Sequence, residues 1–385
     1  MLTLQWRNGQ NVTFEKQITI PKQGYRITVE DRVFNKGDKP LSFYHFAQFK
    51  RVPHTLQTEG GPVSMDFEGP MAYLDNERQQ HEYDDLREGQ DARHAAKVGW
   101  GGFSDKYFLA AILPGAMPEG QTQRFYFDYD APTFRTGVVS PASQVAAGGA
   151  FVKKYDLYIG PKEIRTLEAE GDNLERAIDY GWFHFLAVPL VDTLLFFNDY
   201  LSNYGLAIIL LTVLIKLAFF PLANKSYRSM NAMKKLQPKI EDLKKLYGSD
   251  KQRLNQEMMK LYQEHKVNPL GGCLPILVQI PVFFALYKTL FLSIEMRHAP
   301  FALWIHDLSA MDPYYVLPLL MGASMFLQSR LNPAPADPIQ AKIMMFLPVI
   351  FTVMFLSFPS GLVLYWFVNN VLSIAQQWYI MKKYA

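Results

Sequence analysis

The stretch GLAIILLTVLIKLAFFPLA, residues 205–223, is apolar throughout except at Thr212 and Lys216. Helical at about 1.5 Å per residue, it is long enough to cross a hydrocarbon layer about 30 Å thick. Residues 270–292 and 313–331 have the same character, and so does the run from Ile343 to Ile380, broken at Pro359-Ser360-Gly361. That break predicts two spans, 343–358 and 361–380, the first of them short. Five spans result. The whole-chain averages conceal them: 385 residues, 49% hydrophobic and a net charge of +3 exclude only a disordered or strongly polyanion-seeking chain. Up to Gly171 there are 20 Lys+Arg against 22 Asp+Glu, and beyond it 19 against 14, so charge thins and turns positive. Cys273, the single cysteine, forms no intramolecular disulfide and no multi-cysteine metal site.

Residues 1–171 show short alternating runs instead of long helical periods. Leu2, Leu4 and Trp6 face Val12 and Phe14 across Arg7-Asn8-Gly9-Gln10, and Asn-Gly between alternating runs is a hairpin signal. Similar runs recur at 25–33, 43–49, 107–113, 125–129 and 151–159, which predicts an antiparallel β-sandwich. His45, His54, His81 and His94 stand at no metal-ligand spacing and accompany no nucleophile motif, so they are expected to be structural or surface histidines. The acidic stretch 75–91 is expected to be a solvated loop.

Residues 172–202 connect the front domain to the spans. Asp172 followed by Glu175 predicts a capping box opening a helix. Apolar residues 182–197, interrupted by Pro189 and Asp192 and edged with aromatics, suit an amphipathic helix lying in the membrane interface. A spanning helix is the alternative, and it would move the front domain to the other side of the membrane.

Residues 223–268 carry 11 Lys+Arg against 5 Asp+Glu, and Lys382 and Lys383 close the chain, whereas 293–312 hold one Arg against three acidic residues. The positive-inside tendency therefore puts the 223–268 loop and the C-terminus in the cytoplasm and the front domain outside. An exported domain needs a leading segment and none precedes Met1, so the chain is expected to be N-terminally truncated. Within the basic loop, Met230, Met233, Leu236, Ile240, Leu243 and Leu246 recur at helical steps, and Leu254, Met258 and Leu261 repeat them after a turn at Gly248. Two amphipathic helices in a cytoplasmic hairpin follow, the first bent at Pro238, with Glu241 placed to pair with Lys245. The stripe is either the seam between the helices or a thioether-rich partner surface. Its basic faces, Lys234 and Lys235 among them, suit anionic lipid or ribosomal RNA without base-specific recognition.

An ammonium at mid-bilayer costs about 2.5–3.5 kcal/mol, so Lys216 demands an explanation. Snorkelling is one, since Pro221 is five residues away. A wet cavity inside the bundle is the other. It is supported by other polar residues at membrane depth: Thr212, Gln279, Ser324, Gln328, Asn369, Asn370, Ser373 and Gln376. The five spans supply no acidic counter-ion, which speaks against a proton relay, and no phosphate-binding loop is present. A cationic, wet, one-sided cavity lowers the barrier for a polar peptide segment entering from the cytoplasm, while burial of apolar residues in lipid supplies the driving force.

KKLQPKI at 234–240, KVNPLGGC at 266–273 leading to QIP at 279–281, APFALWIHDLS at 299–309 and FPSGLVLYW at 358–366 closely resemble the YidC family of bacterial membrane protein insertases. With the preceding β-rich domain, the likeness covers nearly the whole chain. It implies an α+β membrane protein: a periplasmic β-sandwich, a five-helix core with a hydrophilic groove open to cytoplasm and lipid, and a mobile cytoplasmic hairpin. It also implies a first transmembrane anchor and a basic C-terminal tail. Family members usually have an arginine where this chain has Lys216, so a planar fork becomes a point donor. Thr212 and Gln279 match groove positions, and Tyr365 and Trp366 stand where paired tyrosines are common. The resemblance further implies nascent membrane proteins as substrates, direct insertion or cooperation with the Sec translocon, and delivery by ribosomes and the signal recognition particle pathway. No catalysis, cofactor or metal is called for. A secondary transporter using Lys216 as substrate site is the alternative, although five spans do not divide into equal repeats.

Overall fold

The computed structural model describes all residues except 53–66, 249, 266, 268–273, 333–337, 384 and 385. His54 and most of the 266–273 motif, Cys273 included, lie outside the described residues. The chain divides into two compact units, the first mainly Met1–Asp179 and the second mainly Tyr180–Ala385. The first therefore extends past residue 171, where the sequence had placed its end.

The first unit is a sandwich of two antiparallel sheets. The larger has eight strands, in the order β1 (Leu2–Arg7), β2 (Val12–Thr19), β3 (Arg26–Asn35), β12 (Ala150–Pro161), β9 (Phe108–Leu113), β8 (Gly99–Ser104), β5 (Gly69–Leu74), β6 (Glu77–Gln80). The smaller runs β4 (Leu41–Arg51), β11 (Thr133–Val145), β10 (Gln123–Asp130), β7 (Ala92–Ala96). The first hairpin forms as expected, with Trp6 opposite Phe14, and the Asn8 side chain accepts from the backbone N–H groups of Gln10 and Val12. Between the sheets the core gathers Val29, Phe103, Ile112, Phe125, Phe127 and Phe134.

The acidic stretch is not a loop. Asp75 and Asn76 take positive φ, at 48° and 72°, in a tight turn between β5 and β6. A short helix α1 (Tyr83–Arg87) then buries Leu86 against the core. Strand β8 went unread because glycine is depleted in strands, yet Gly102 is required there: a Cβ would meet the Ala110 carbonyl oxygen at 1.8 Å. Past α2 (Ile164–Glu170), the expected capping box is absent. Asp172 instead pairs with Arg26 at 2.8 Å, Asn173 makes no side-chain cap, and only a 3₁₀ turn, Leu174–Ala177, follows. Arg26 holds Glu170 as well, and Arg78 pairs with Asp179, so charge pairing fixes this segment to the sandwich.

In the second unit, α3 (His184–Leu201) continues through Pro189, and the apolar helical stretch 181–201 is long enough to cross a membrane. By length and composition it is the one continuous described helix that is. The expected span 205–223 is interrupted: α4 (Tyr204–Ala218) ends at Phe219, and α5 (Phe220–Lys235) leaves at 67°. Pro221 explains the break, because it is tolerated in the first turn of a new helix and not in the interior of an old one. Leu206, Leu210, Leu214 and Leu217 form an exposed stripe on α4 while Ala207, Ile208 and Leu211 face inward. Such a continuous apolar surface suits lipid, not water.

Pro238 acts as Pro221 does, so α6 (Gln237–Tyr247) is a separate helix from α5. It packs against α7 (Lys251–Glu264), whose first turn is capped by the Asp250 side chain accepting from the Arg253 N–H. Their seam holds Leu236, Ile240 and Met258. Met230 and Met233 lie before the break, half-buried on α5. Lys245 pairs with Asp242 at 3.5 Å, not with Glu241, the i,i+3 partner being the nearer on this helix. Helices α8 (Leu274–Leu292), α9 (Val316–Leu331), α10 (Pro338–Phe355) and α11 (Ser360–Lys383) occupy the remaining expected stretches. Along α10, Ile343, Phe346, Val349, Ile350 and Val353 are all exposed, a second lipid-suited surface.

Candidate functional site: a polar face on the last helix

Helix α11 starts where the Pro359 turn allows it. The Ser360 hydroxyl donates to the Ala310 carbonyl, and Gly361 packs under Leu308. From there α11 carries polar side chains that reach four other helices. Gln279 of α8 donates through Nε2 to both the Tyr365 hydroxyl and Asn369 Oδ1, each at 3.0 Å. Asn370 Nδ2 donates to Ser324 Oγ of α9 at 3.1 Å. Lys216 Nζ of α4 donates to Ser373 Oγ at 2.7 Å. Gln376 donates to Asn224 Oδ1 of α5 at 3.0 Å, and Gln377 to Asn332 Oδ1, past the end of α9, at 3.1 Å.

In a low-dielectric interior each of these groups would be costly if left alone, so pairing across helices both satisfies them and fixes where α11 sits. Asn370, Ser373 and Gln377 are almost fully buried. Lys216 is half-buried, the one cation hydrogen-bonded to this amide and hydroxyl face among the described residues.

Not every expected residue joins this face. The Thr212 hydroxyl is buried and donates its proton to the Ile208 carbonyl of its own helix, so it has no proton left to donate to the α11 face. Trp366 turns away into an aromatic cluster, 4.6 Å from the Phe283 ring and 5.3 Å from Phe355. Adjacent residues on a helix point about 100° apart, so Tyr365 and Trp366 cannot share one surface. Gln328 is half-buried on α9, one turn beyond Ser324. Asn224 and Asn332 were missed in the sequence. The neighbouring amides Gln376 and Gln377 were the available signal, since two buried amides need two acceptors.

In the front domain, His45 Nε2 lies 2.8 Å from Asp31, whose other oxygen is 2.6 Å from Lys16 Nζ. Burial alone would raise the Asp31 carboxyl, but His45 and Lys16 outweigh it and hold it below the usual range. His81 and His94 meet at 3.3 Å, and burial, with His94 beside it, lowers His81. Among the described residues no group of three or more His, Cys, Asp or Glu side chains is placed to hold a metal ion.

The family profile for the YidC periplasmic domain matches residues 1–193, and the one for the 60Kd inner membrane protein matches residues 196–385. A membrane protein insertase YidC of Magnetococcus marinus is 66% identical over 381 residues, 99% of this chain and 68% of its own.

The chain belongs to the YidC family of membrane protein insertases.

A YidC of Geobacter sulfurreducens is 46% identical over 385 residues, 98% of this chain and 70% of its own. A solved crystal structure of an active YidC insertase with its first transmembrane domain resolved covers 94% of this chain at 20% identity, with a TM-score of 0.46. Membership makes the chain an inner-membrane protein whose function is membrane protein insertion, and YidC is an insertase and chaperone, not an enzyme. A secondary transporter is accordingly not favoured.

Proposed function

We propose that this YidC-family chain inserts nascent membrane proteins along the polar face of α11, with Lys216 receiving the hydrophilic stretch that must cross. The observation that carries this is the Lys216–Ser373 contact beside the Gln279–Tyr365–Asn369 cluster, a cation and exchangeable hydrogen-bonding groups among apolar helices. A polar client segment would replace these pairings one for one, losing less than it would by entering bare hydrocarbon. Its apolar part would pass over the leucine stripe of α4 and the exposed face of α10 into lipid.

In the same proposal the sandwich is periplasmic, the α6–α7 hairpin and the C-terminus are cytoplasmic, and α3 lies in the interface. Charge asymmetry supports the orientation. The exposed rings of Trp182, Phe185 and Tyr200 support an interfacial α3. The basic hairpin faces suit docking of a ribosome, the signal recognition particle pathway or anionic lipid, and larger clients would pass through the Sec translocon.

The test is insertion of a small client with an acidic translocated tail into reconstituted vesicles. Lys216→Ala and Lys216→Glu should slow it at least tenfold, and wild-type rates in both would remove the cation from the mechanism. Impermeant thiol labelling of single cysteines at Glu119 and Lys244 tests orientation: labelling of both from one side would instead make α3 a span.

A further inference from the structure

Between α8 and α9 the chain folds into a compact loop with its own interior. Met296, Ile305 and Leu308 are buried, the Phe301 N–H donates to the Ile305 carbonyl at 3.0 Å, and the Ile305 N–H donates to the Ala302 carbonyl at 3.0 Å. This closes a tight turn in which Leu303 is the second of four residues, at φ 56°. Positive φ at that position suits Gly, Asn or Asp, and a leucine there is strained. Leu303 is nonetheless 81% exposed, so packing within the chain does little to offset the strain. The segment APFALWIH, residues 299–306, contains no Asp, Glu, Lys or Arg. At the other end of the loop Tyr315 repeats the pattern, exposed at φ 56° beside exposed Met311 and Tyr314. From Tyr315 the exposed apolar surface continues one turn on to Leu319 and Leu320, and seven residues further to Phe326 and Leu327, on one face of α9.

We propose that the 299–315 loop is a lipid-interface anchor, with Leu303 at the boundary between headgroups and acyl chains and Tyr314 and Tyr315 at headgroup level, and that it sets the depth of α11. The chain is an inner-membrane protein, and the patch is continuous with the apolar face of α9, so lipid is the occupant that covers both. In water the turn would combine a strained backbone with a bare leucine; burial of that side chain in lipid offsets the strain, and exposed tyrosines at a helix end are typical of the membrane boundary. The loop is tied to α11 by its backbone. Ser360 and Gly361 donate their N–H groups to the carbonyls of Ala310 and Leu308 at 2.7 and 2.9 Å, and Leu308 donates in turn to Ala299 at 3.0 Å. Ser373 lies about 20 Å along α11 from Ser360, so the level at which the loop rests is also what fixes the level of the polar face. The lipid contact itself is independent of the reading that this face receives clients.

The experiment uses the full chain with Cys273→Ser, diluted into vesicles of phosphatidylcholine and phosphatidylglycerol that hold no other protein. A fluorophore is attached at Leu303→Cys or, as an aqueous reference, at Glu119→Cys in an exposed turn of the front domain. Spin-labelled lipids should quench the Leu303 probe severalfold more than the Glu119 probe, most strongly with the label near the headgroup, and iodide on both sides of the membrane should quench it severalfold less. Leu303→Asn removes the apolar side chain while suiting positive φ. It should leave thermal unfolding in detergent unchanged or raised, yet shift the ratio of shallow to deep lipid quenching at a probe on Val371→Cys, an exposed position of α11. A Leu303 probe that iodide quenches as strongly as the Glu119 probe, without quenching by lipid, overturns the proposal. Protection from both quenchers overturns it as well, because protein would then cover the tip. An unchanged ratio at Val371 in folded Leu303→Asn overturns the depth-setting role of the loop.

Discussion

The Lys216 ammonium and the Ser373 hydroxyl, 157 residues apart in sequence, lie 2.7 Å apart across the α4–α11 interface. Their pairing should be measurable as a coupling. In a double-mutant cycle with Lys216→Ala and Ser373→Ala, unfolding in detergent should show about 1 kcal/mol of interaction, the range found for hydrogen bonds between membrane helices. A coupling indistinguishable from zero would mean that the contact does not persist.

Asp312 is 1% exposed and accepts from the N–H groups of Tyr314 and Leu317 and from Trp304 Nε1. Asp312→Ala strands three donors and should cost about 3 kcal/mol, with a red shift of Trp304 emission, because buried donors without partners lose their hydration uncompensated. Asp312→Asn keeps one oxygen acceptor and should cost roughly half as much.

Gly322 of α9 faces α10 so closely that an added Cβ would lie 2.0 Å from Thr352 Oγ1. Gly322→Ala should lower stability by about 1–3 kcal/mol through forced separation of the helices. Adding Thr352→Ala, which removes the nearest atoms, should recover part of the loss in the same unfolding assay.

The front domain should be acid-sensitive in two steps. Burial and His94 lower the His81 pKa from its ordinary 6.5, so the unfolded chain takes up a proton there before the folded one does. The contribution of His81 is complete above pH 6.5 and declines as pH falls below it. Asp31, also lowered, adds a second decline as pH drops below 3.8 toward its folded value. The midpoint of the domain's thermal transition should therefore fall between about pH 7.5 and 5, and His81→Phe should flatten that slope. An equal slope in the variant would assign it elsewhere.

Deleting α6 and α7, residues 237–264, removes Ile240 and Met258, which form one small cluster with Leu236. The remaining bundle should unfold at nearly the parent temperature while client insertion falls sharply. An unstable deletion protein would show that the hairpin also supports the bundle.

Periodicity and local chemistry, both properties of neighbouring residues, determined much of this protein before any tertiary contact was known. Alternation in residues 1–171 specified the sandwich, apolar runs marked out helices of the second unit, and the first hairpin and the cap at Asp250 follow from side chains a few residues apart. The long ordered strings near Pro238, Gln279 and Tyr365 pointed to the family, and Lys216 stood out because a charge at that depth is costly. What only the folded chain decided was pairing at long range: whether Asp172 caps a helix or holds Arg26, whether Trp366 joins Tyr365 or Phe283, and which groups accept from Gln376 and Lys216. Those choices depend on helix rotation and on where Pro221 breaks the 205–223 stretch, and both are set by packing against elements distant in sequence.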